Sequence, residues 1–352
     1  MKKRKIHFCF PLSGPNNGVK IISNYILNNF LEDKSFDLII IDTAQAKGFN
    51  NFGKLNLNKI IYTLNLFSKL LKVKRDDLIY LNLTPKGFAF FRDFCMILIC
   101  KIKRGKVTVH VHANDLEKKI NQVTRCLLKK VKIIVINKLQ YNNLKSLYSD
   151  LYLVKNALPD FFNELSFTNK RNDNKIKLLF FSNLSKEKGI FRLEYIIRLI
   201  GESDLNCEVN IYGGILNKSN ETIFKDLKLN YDFINYYGPV TNQKEKYKIF
   251  VEHNFLLFLS DINYEVSPLV YIEALMSGLP IITTKQVVSD DIINKKCGFH
   301  ISEDGSGLLT ILEDYNLSSI KKEELKKRSR SVYLENYSFD DFINQIKTII
   351  IK

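Results

Sequence analysis

The stretch YEVSPLVYIEALMSGLPIITT, residues 264–284, decides the fold because it joins a loop, a short helix and the start of a strand. It follows NFLLFLS, residues 254–260, a continuous apolar run typical of a buried parallel strand. Ser267 is a good N-cap, and Pro268 suits the first helical position, where its missing N–H costs nothing. The stretch therefore predicts a strand, a loop and a helix in succession, the junction at which α/β proteins bind ligands.

The start of this predicted helix would make a phosphate site. The amides of Leu269 and Val270 are left free in the first turn, with the positive end of the helix behind them. Glu273, about one turn further on, leans back toward the helix start and could accept the hydroxyls of a ribose. Glu265, on the loop, would face whatever extends beyond the phosphate. A capped helix with two solvated glutamates is the alternative, and the E-x7-E spacing alone does not decide between them.

Strand and helix patterns alternate on both sides of this stretch. Helical patterns, such as residues 19–31, 57–72 and 88–103, separate continuous apolar runs. The predicted strands cover residues 5–10, 36–42, 78–83, 107–111, 133–136 and 151–154, and then 176–181, 208–212, 233–237, 255–259, 280–283 and 298–301. This pattern predicts the α/β class, with two Rossmann-like doubly wound parallel-sheet domains facing a cleft.

A polar stretch, FFNELSFTNKRNDNK, interrupts the alternation and predicts a linker at residues 161–175. We therefore expect one domain over residues 1–160 and a second over residues 176–337. Residues 338–352 form an amphipathic pattern, which predicts a C-terminal helix that packs back toward the first domain.

The charge is unevenly distributed along the chain. The 352 residues hold 53 Lys and Arg against 37 Asp and Glu, a net charge of +16. Residues 1–160 carry 28 basic and 11 acidic side chains, whereas residues 161–352 carry 25 and 26. A basic face suits anionic lipid headgroups, an anionic acceptor or nucleic acid. A generally Lys-rich composition would make both halves basic, which is not the case. No nucleic-acid-binding module is recognisable in the sequence. We therefore expect an anionic membrane surface as the partner and no nucleic acid.

The remaining composition indicates a cytoplasmic protein, or one bound at the inner face of the plasma membrane. Six cysteines show no CxxC pair and no clustering with histidine, so we interpret them as reduced residues and expect no metal. The basic start MKKRKIHFCF precedes too short an apolar run for a secretion signal and predicts a first strand. The run FCMILICKI, residues 94–102, is too short to span a membrane.

Residues 264–284 resemble the E-x7-E signature of glycosyltransferase family 4, retaining enzymes with two Rossmann-like domains, the GT-B fold. The resemblance extends over most of the chain. It implies transfer of a sugar from a UDP- or GDP-linked donor to a hydroxyl of a glycan or lipid-linked acceptor, with the anomeric configuration kept and without a cofactor. It also implies that the first domain lies on the acceptor side and that the second binds the nucleotide sugar.

The resemblance assigns the donor site to the second domain. The segment LLFFSNLSKEKGIFRL, residues 178–193, is similar to the family's strand and loop, and implies that Lys188 holds the diphosphate. The family usually has an arginine at the position of Asn183, and either Lys186 or a base from the first domain could compensate. Further donor-binding residues are implied at Gly213 and Gly214 in NIYGG, at Ser267 and Pro268, and at Leu269, Val270 and Glu273, while Glu265 would orient the sugar.

Three segments of the first domain complete the implied site. VTVHVHANDLE, residues 107–117, ends a strand in His110 and His112, which alternation places on one face. The resemblance puts His112 against the donor sugar; buried histidines or a metal-binding pair, for which no third ligand is visible, are the alternatives. Gly14 and Gly18, in PLSGPNNGVK, would line the loop near the acceptor. LTPKGFAFFRDF, residues 83–94, is similar to bacterial members that build surface polysaccharide, and places Arg92 near the acceptor.

Two other classes of function stay open. The missing arginine is compatible with a non-catalytic scaffold that has kept the fold. The basic first half is compatible with a nucleic-acid-binding protein.

Overall fold

The computed structural model describes residues 3–14, 17–44, 57–161, 175–215, 217–262, 264–285 and 294–352. The chain divides into two compact units, of which unit 1 comprises Met1–Leu158 with Phe339–Lys352 and unit 2 comprises Pro159–Ser338. None of the helices in the described ranges has the length and hydropathy that a membrane span requires.

Unit 1 contains a six-stranded parallel sheet and its helices. The strands are β1 (Arg4–Phe10), β2 (Phe36–Asp42), β3 (Leu78–Leu83), β4 (Lys106–Val111), β5 (Lys132–Val135) and β6 (Leu151–Leu153). The helices are α1 (Gly18–Glu32), α2 (Leu57–Leu70), α3 (Gly87–Ile102), α4 (Gln122–Leu128), α5 (Lys138–Leu144) and, from the end of the chain, α12 (Phe339–Ile351). The strand order is β2-β1-β3-β4-β5-β6.

Unit 2 repeats the architecture. Its strands are β7 (Ile176–Phe181), β8 (Cys207–Tyr212), β9 (Ile234–Gly238), β10 (Phe255–Phe258), β11 (Ile281–Thr283) and β12 (Gly298–His300). Its helices are α6 (Ile190–Gly201), α7 (Lys218–Asn230), α8 (Gln243–Glu252), α9 (Leu269–Met276), α10 (Leu308–Asn316) and α11 (Ser319–Asn336). The strand order β12-β11-β10-β7-β8-β9 is the Rossmann order.

Both sheets are parallel, and their central strands are continuously apolar because helices cover the sheet on both faces. Every residue of β3 and every residue of β10 is buried. Helices supply the cover: one core cluster in unit 1 joins the strands to Leu66, Met96, Leu128 and Leu144 on α2, α3, α4 and α5. Each sheet has a switch point where the strand order reverses, between β1 and β3 in unit 1 and between β7 and β10 in unit 2.

The predicted class of two doubly wound parallel-sheet domains is confirmed. All twelve predicted strands are present, and their bounds differ from the structure by no more than one residue at either end. Of the predicted linker, residues 162–174 lie outside the described residues. Helix α12 belongs to unit 1, where Lys347 Nζ donates to Asp33 Oδ2 over 3.2 Å and Phe339 packs on Tyr25.

Candidate functional site

The loops that leave β7 and β10 are held side by side at the switch point of unit 2. The two strands pair in parallel, so their carboxyl ends meet at the same edge of the sheet. Asp261 N–H donates to the carbonyl oxygen of Glu187 over 2.8 Å. Arg192 Nη1 in turn donates to Asp261 Oδ1 over 2.7 Å. Backbone and side-chain bonds thus fix one loop against the other.

Gly189 allows the closest approach between these loops. It precedes α6 with φ +89°, in the left-handed region that favours glycine. A Cβ at this position would overlap the carbonyl group of Leu259, the residue directly after β10. The Lys-Gly pair noted in the sequence therefore has a physical reason, because Gly189 lets Lys188 lie beside the β10–α9 loop.

Lys188 and Glu265, one from each loop, are in direct contact. Lys188 Nζ donates to Glu265 Oε1, and both side chains are largely buried. The ammonium also lies 5.3 Å from the centroid of the Tyr264 ring. Two of the three residues predicted to be catalytic are therefore brought together in one cluster of unit 2.

Helix α9 begins one residue later than the sequence predicted. Pro268, and not Ser267, is the N-cap, so the prediction of a Ser267 cap with Pro268 in the first turn was wrong. The reason is that Pro268 has an extended ψ of 122°, which excludes it from the helix. Its carbonyl oxygen accepts the Tyr271 N–H over 3.1 Å. The amides of Leu269 and Val270 remain those of the first turn, which have no partner within the helix.

Glu273 lies one turn into α9 and is 3% exposed. Its Oε1 accepts from Lys246 Nζ on α8, and this ion pair is itself largely buried. The ammonium lies 5.2 Å from the centroid of the Phe181 ring, at the end of β7. Sequence reasoning missed Lys246. A signal was available, because Lys246 is four residues before the buried Phe250 and therefore on the inward face of α8.

Asn183 and the two glycines after β8 lie on two further loops, which a hydrogen bond joins. Asn183 Oδ1 accepts the Gly214 N–H over 2.9 Å. Gly213 has φ +146°, and a Cβ there would overlap the carbonyl group of Ser182. The side chain of Asn183 therefore ties the β7–α6 loop to the loop after β8, and it supplies no charge.

His110 and His112 lie together in unit 1, as their alternation predicted. Their ring centroids are 3.9 Å apart, and His112 already follows the last residue of β4. Tyr80 Oη is hydrogen-bonded to His110 Nδ1 over 2.7 Å. The Nε2 atoms of both rings are buried without a hydrogen-bond partner in the described part of the chain. Desolvation lowers the pKa of His112 to about 3 and lowers that of His110 as well, so both rings are neutral near pH 7.

The loop after β1 is anchored to the end of β2. Asp42 Oδ1 accepts the Leu12 N–H over 2.9 Å. Gly14 has φ +80°, and its carbonyl oxygen accepts from Lys20 Nζ over 2.7 Å. Gly18 is the first residue of α1, directly after an Asn17 cap. Of the two glycines, Gly14 is the one whose backbone requires a glycine.

Arg92 is engaged with its neighbour Asp93, which is buried. Its Nε and Nη2 atoms donate to Asp93 Oδ1 over 2.9 and 2.7 Å, and Nη1 donates to the carbonyl oxygen of Thr43 over 2.8 Å. Burial raises the pKa of Asp93, whereas the guanidinium opposes this shift. In this arrangement Arg92 neutralises a buried carboxyl group near the end of β2.

The described residues contain no group of three or more His, Cys, Asp or Glu side chains that could hold a metal ion. The predicted residues are divided between the units: Lys188, Glu265, Glu273, Asn183, Gly213, Gly214 and residues 267–270 lie in unit 2, and His112, Arg92, Gly14 and Gly18 in unit 1.

Two successive doubly wound parallel sheets of this kind define the GT-B fold of two-domain glycosyltransferases. Residues 161–331 match the family model described as glycosyl transferases group 1. No curated protein sequence matches the chain.

Solved structures share the fold across both units. A glycosyltransferase from Rickettsia africae is 16% identical, with a TM-score of 0.71 over 99% of this chain and 98% of its own. Anabaena HepE, in complex with UDP and glucose, is 13% identical, with a TM-score of 0.68 over 98% of each chain. WaaG, a glycosyltransferase involved in lipopolysaccharide biosynthesis, is 15% identical, with a TM-score of 0.66 over 98% of this chain and 99% of its own.

Proposed function

We propose that the protein transfers a sugar from a nucleotide-diphosphate donor to a hydroxyl of a glycan or lipid-linked acceptor, with retention of the anomeric configuration. The observation that carries this proposal is the placement of Lys188 and Glu265 together at the switch point of unit 2. The amides that begin α9 belong to the loop–helix junction next to Glu265. An ammonium, free amides and a carboxylate at such a junction suit a diphosphate with a sugar attached.

The hard step is departure of the diphosphate from an oxocarbenium-like carbon. In the proposal, Lys188 and the amides of Leu269 and Val270 stabilise the leaving group. One donor in such a role typically lowers the barrier by about 3–4 kcal/mol. Glu265 orients the sugar and stabilises positive charge at the reacting carbon. Same-face attack assisted by the departing phosphate gives retention without a covalent intermediate.

Glu273 and His112 are assigned to donor binding. Glu273 accepts ribose hydroxyls, in exchange for or together with its bond to Lys246. The Nε2 of His112 has no hydrogen-bond partner among the described residues, which supports its role against the donor sugar, because a sugar hydroxyl would satisfy an otherwise costly buried nitrogen. Gly213 and Gly214 let the backbone approach the nucleotide, while Gly14, Gly18 and Arg92 contribute to the acceptor side.

We place the reaction in the synthesis of bacterial surface polysaccharide, at the cytoplasmic face of the membrane. HepE and WaaG support a nucleotide-sugar partner of this kind, since one was solved with UDP and the other is involved in lipopolysaccharide biosynthesis. The basic charge of unit 1 supports an acceptor at an anionic membrane surface.

A thermal-shift screen with UDP, GDP, ADP and their sugars tests the donor. A ligand at a hundred times its Kd stabilises the folded protein by about 2.7 kcal/mol, so one nucleotide should raise Tm clearly above the others. The absence of any shift at millimolar nucleotide would overturn the proposal. The stabilising donor is then used in a transfer assay, in which the anomeric configuration of the product is determined by NMR.

A non-catalytic scaffold is the second candidate, and one observation favours it. Asn183 stands where the resembled family usually has arginine, and its side chain is occupied by Gly214. A scaffold would bind nucleotide in the screen but release no nucleoside diphosphate with any acceptor. Restored turnover in Asn183→Arg would then identify the missing cation as the cause.

A further inference from the structure

We propose that the outer face of α2 and α3 is a docking surface for an anionic lipid membrane. This inference locates the membrane contact of the proposed function and rests on that function only for its biological purpose. It is carried by exposed apolar side chains at helical spacing and by the charge around them.

Each of the two helices carries an apolar stripe on its exposed side. The α2–α3 face comprises Leu57, Ile60, Ile61, Leu64 and Leu71 from α2 and the residue after its end, and Phe88, Phe91, Leu98 and Ile102 from α3. All nine side chains are at least 41% exposed, although they belong to large apolar residue types. Isolated exposed residues of this kind are ordinary, but two neighbouring stripes are typical of an interaction surface.

The spacing shows that these stripes are not the core sides of the helices. Positions 57, 61, 64 and 71 are separated by four, three and seven residues, and positions 88, 91, 98 and 102 by three, seven and four. These are steps of one or two helical turns, so each set shares one helix face. The opposite faces meet the sheet through buried Leu66 and Leu70 on α2 and Met96 and Cys100 on α3. Because α2 also packs against α3, the two exposed stripes lie on one side of unit 1.

The charge around this face is strongly positive. Residues 57–132 hold 17 Lys and Arg against 5 Asp and Glu, which gives +12 of the net +16 of the whole chain. Of the acidic residues, Asp93 is buried against Arg92. Exposed basic residues lie in the last turn of α2 and directly after α2, α3 and α4. They are Lys69, Lys72, Lys74, Arg75, Lys103, Arg104, Lys129 and Lys130.

The basic residues are close enough to repel one another. In the last turn of α3, Lys101 Nζ donates to the carbonyl oxygens of Leu127 and Lys129 over 2.6 and 2.9 Å, which places it next to the basic end of α4. Burial is the main cause that lowers the pKa of Lys101, and the positive charge of Lys130 acts in the same direction. A layer of anionic headgroups would relieve this repulsion while the apolar stripes enter the acyl boundary. A neutral protein partner would satisfy the stripes and leave the repulsion unrelieved.

Vesicle sedimentation with the full chain tests the surface. The probes are vesicles of phosphatidylcholine alone and vesicles in which phosphatidylglycerol replaces about a third of the lipid, at low and at physiological salt. The apolar variant is Ile61→Gln with Phe91→Gln. Its matched control is Leu229→Gln with Leu317→Gln, which replaces two of the most exposed leucines of unit 2. The charge variant replaces Lys69, Lys72 and Lys103 by Gln, with Lys218, Lys225 and Lys228 as the matched control.

We expect the protein to bind the anionic vesicles and to bind neutral vesicles much more weakly. The apolar and charge variants should each lose at least about tenfold in vesicle affinity, while both controls keep it. Salt should weaken the vesicle binding of the unmodified protein more than that of the charge variant. Equal binding to both vesicle types, or equal binding by variants and controls, would overturn the inference. So would preferential binding to DNA at matched salt, or a dimer in light scattering that Ile61→Gln with Phe91→Gln dissociates.

A nucleotide thermal shift on the same samples separates this inference from the proposed function. Variants that keep the shift of the unmodified protein are folded, so their loss of vesicle binding reports the surface. Vesicle binding without any nucleotide shift would overturn the proposed function and support the docking surface. A nucleotide shift without vesicle binding would support the proposed function and overturn the docking surface.

Discussion

Lys188 Nζ donates to the carboxylate of Glu265, so two groups assigned to opposite ends of the reacting bond neutralise each other in the structure. An ammonium held by a carboxylate is oriented but has part of its charge already compensated. A diphosphate would compete with Glu265 for the same ammonium. This relationship makes the two residues separable by experiment.

Replacement of Lys188 by alanine should lower turnover by about 10²–10³-fold, because the leaving diphosphate loses one charged donor. Glu273→Gln should instead raise the KM for the donor, with a smaller effect on turnover. Steady-state kinetics with the donor found by thermal shift gives both parameters. Lys225→Ala, on the exposed side of α7, is the control. Equal changes in both parameters for Lys188→Ala and Glu273→Gln would contradict these roles.

Glu265→Gln should bind the nucleoside diphosphate at least as tightly as the unmodified protein, because its carboxylate no longer competes for Lys188. Turnover should nevertheless fall, since Glu265 also orients the sugar. Isothermal titration with the nucleoside diphosphate and with the nucleotide sugar measures the two affinities. Weaker binding of the nucleoside diphosphate would show that the carboxylate does not compete for the ammonium.

Lys246→Met should destabilise unit 2, because it leaves the carboxylate of Glu273 buried without its counter-ion. Breaking one side of a buried pair typically costs about 3–5 kcal/mol. The double variant Lys246→Met with Glu273→Gln should regain much of this loss, since no charge is then left alone. Urea unfolding followed by circular dichroism gives the coupling energy. Additive effects of the two replacements would mean that the ion pair contributes nothing.

Two glycines with nearly equal φ allow a matched comparison of loop packing. Gly189 (φ +89°) faces the carbonyl group of Leu259, whereas Gly307 (φ +91°) faces open space. Gly307→Ala should cost about 1–2 kcal/mol, from backbone strain alone, and leave activity unchanged. Gly189→Ala adds the overlap, so it should cost more and displace Lys188, with a loss of turnover. The two variants are compared by thermal unfolding and by the transfer assay, and equal losses would show that the close approach is unimportant.

Acid should destabilise unit 1 through His112. Its folded pKa of about 3 lies below the unfolded value, so between these two values the unfolded chain binds a proton that the folded chain refuses. The contribution of neutral His112 to the free energy of unfolding is therefore fully present above about pH 6.5, and it is lost as the pH falls toward 3. Between pH 7 and pH 5 the loss is roughly 2 kcal/mol for this residue.

His112→Asn should show a shallower decline in unfolding free energy between pH 7 and pH 5, measured by urea unfolding at each pH. His300→Asn, at an exposed position of unit 2, serves as the control. An unchanged pH dependence in His112→Asn would contradict the low pKa.

The strands were predictable because most are short, largely apolar runs bounded by polar residues, and the central strands of parallel sheets, such as β3 and β10, are buried along their whole length. The proximity of Lys188 and Glu265 was implied by the resemblance to family 4, which placed both on loops after strands at the donor site. The Rossmann strand order makes β7 and β10 neighbours, although Lys188 and Glu265 are 77 residues apart in the chain. What the pattern predicted was therefore the fold class and the bounds of each strand.

Side-chain partners were less predictable, because they depend on packing between elements that are distant in sequence. Lys246 lies in a helix with four other lysines and glutamates, and nothing local distinguishes it as the partner of Glu273. Asn183 could be identified as an uncharged substitute, but its bond to Gly214 required the positions of two loops. The prediction of Ser267 as the N-cap of α9 was wrong for a local reason, since the ψ of Pro268 cannot be inferred from composition.

Helix α12 has a consequence for the order in which the protein folds. Its buried Phe342, Ile346 and Ile350 complete the core of unit 1, yet they follow the whole of unit 2 in the chain. During synthesis on the ribosome, unit 2 therefore emerges in full while unit 1 still lacks its last helix. The apolar surface of unit 1 that receives Phe342, Ile346 and Ile350 therefore stays uncovered until residues 339–351 have been synthesised, after the whole of unit 2.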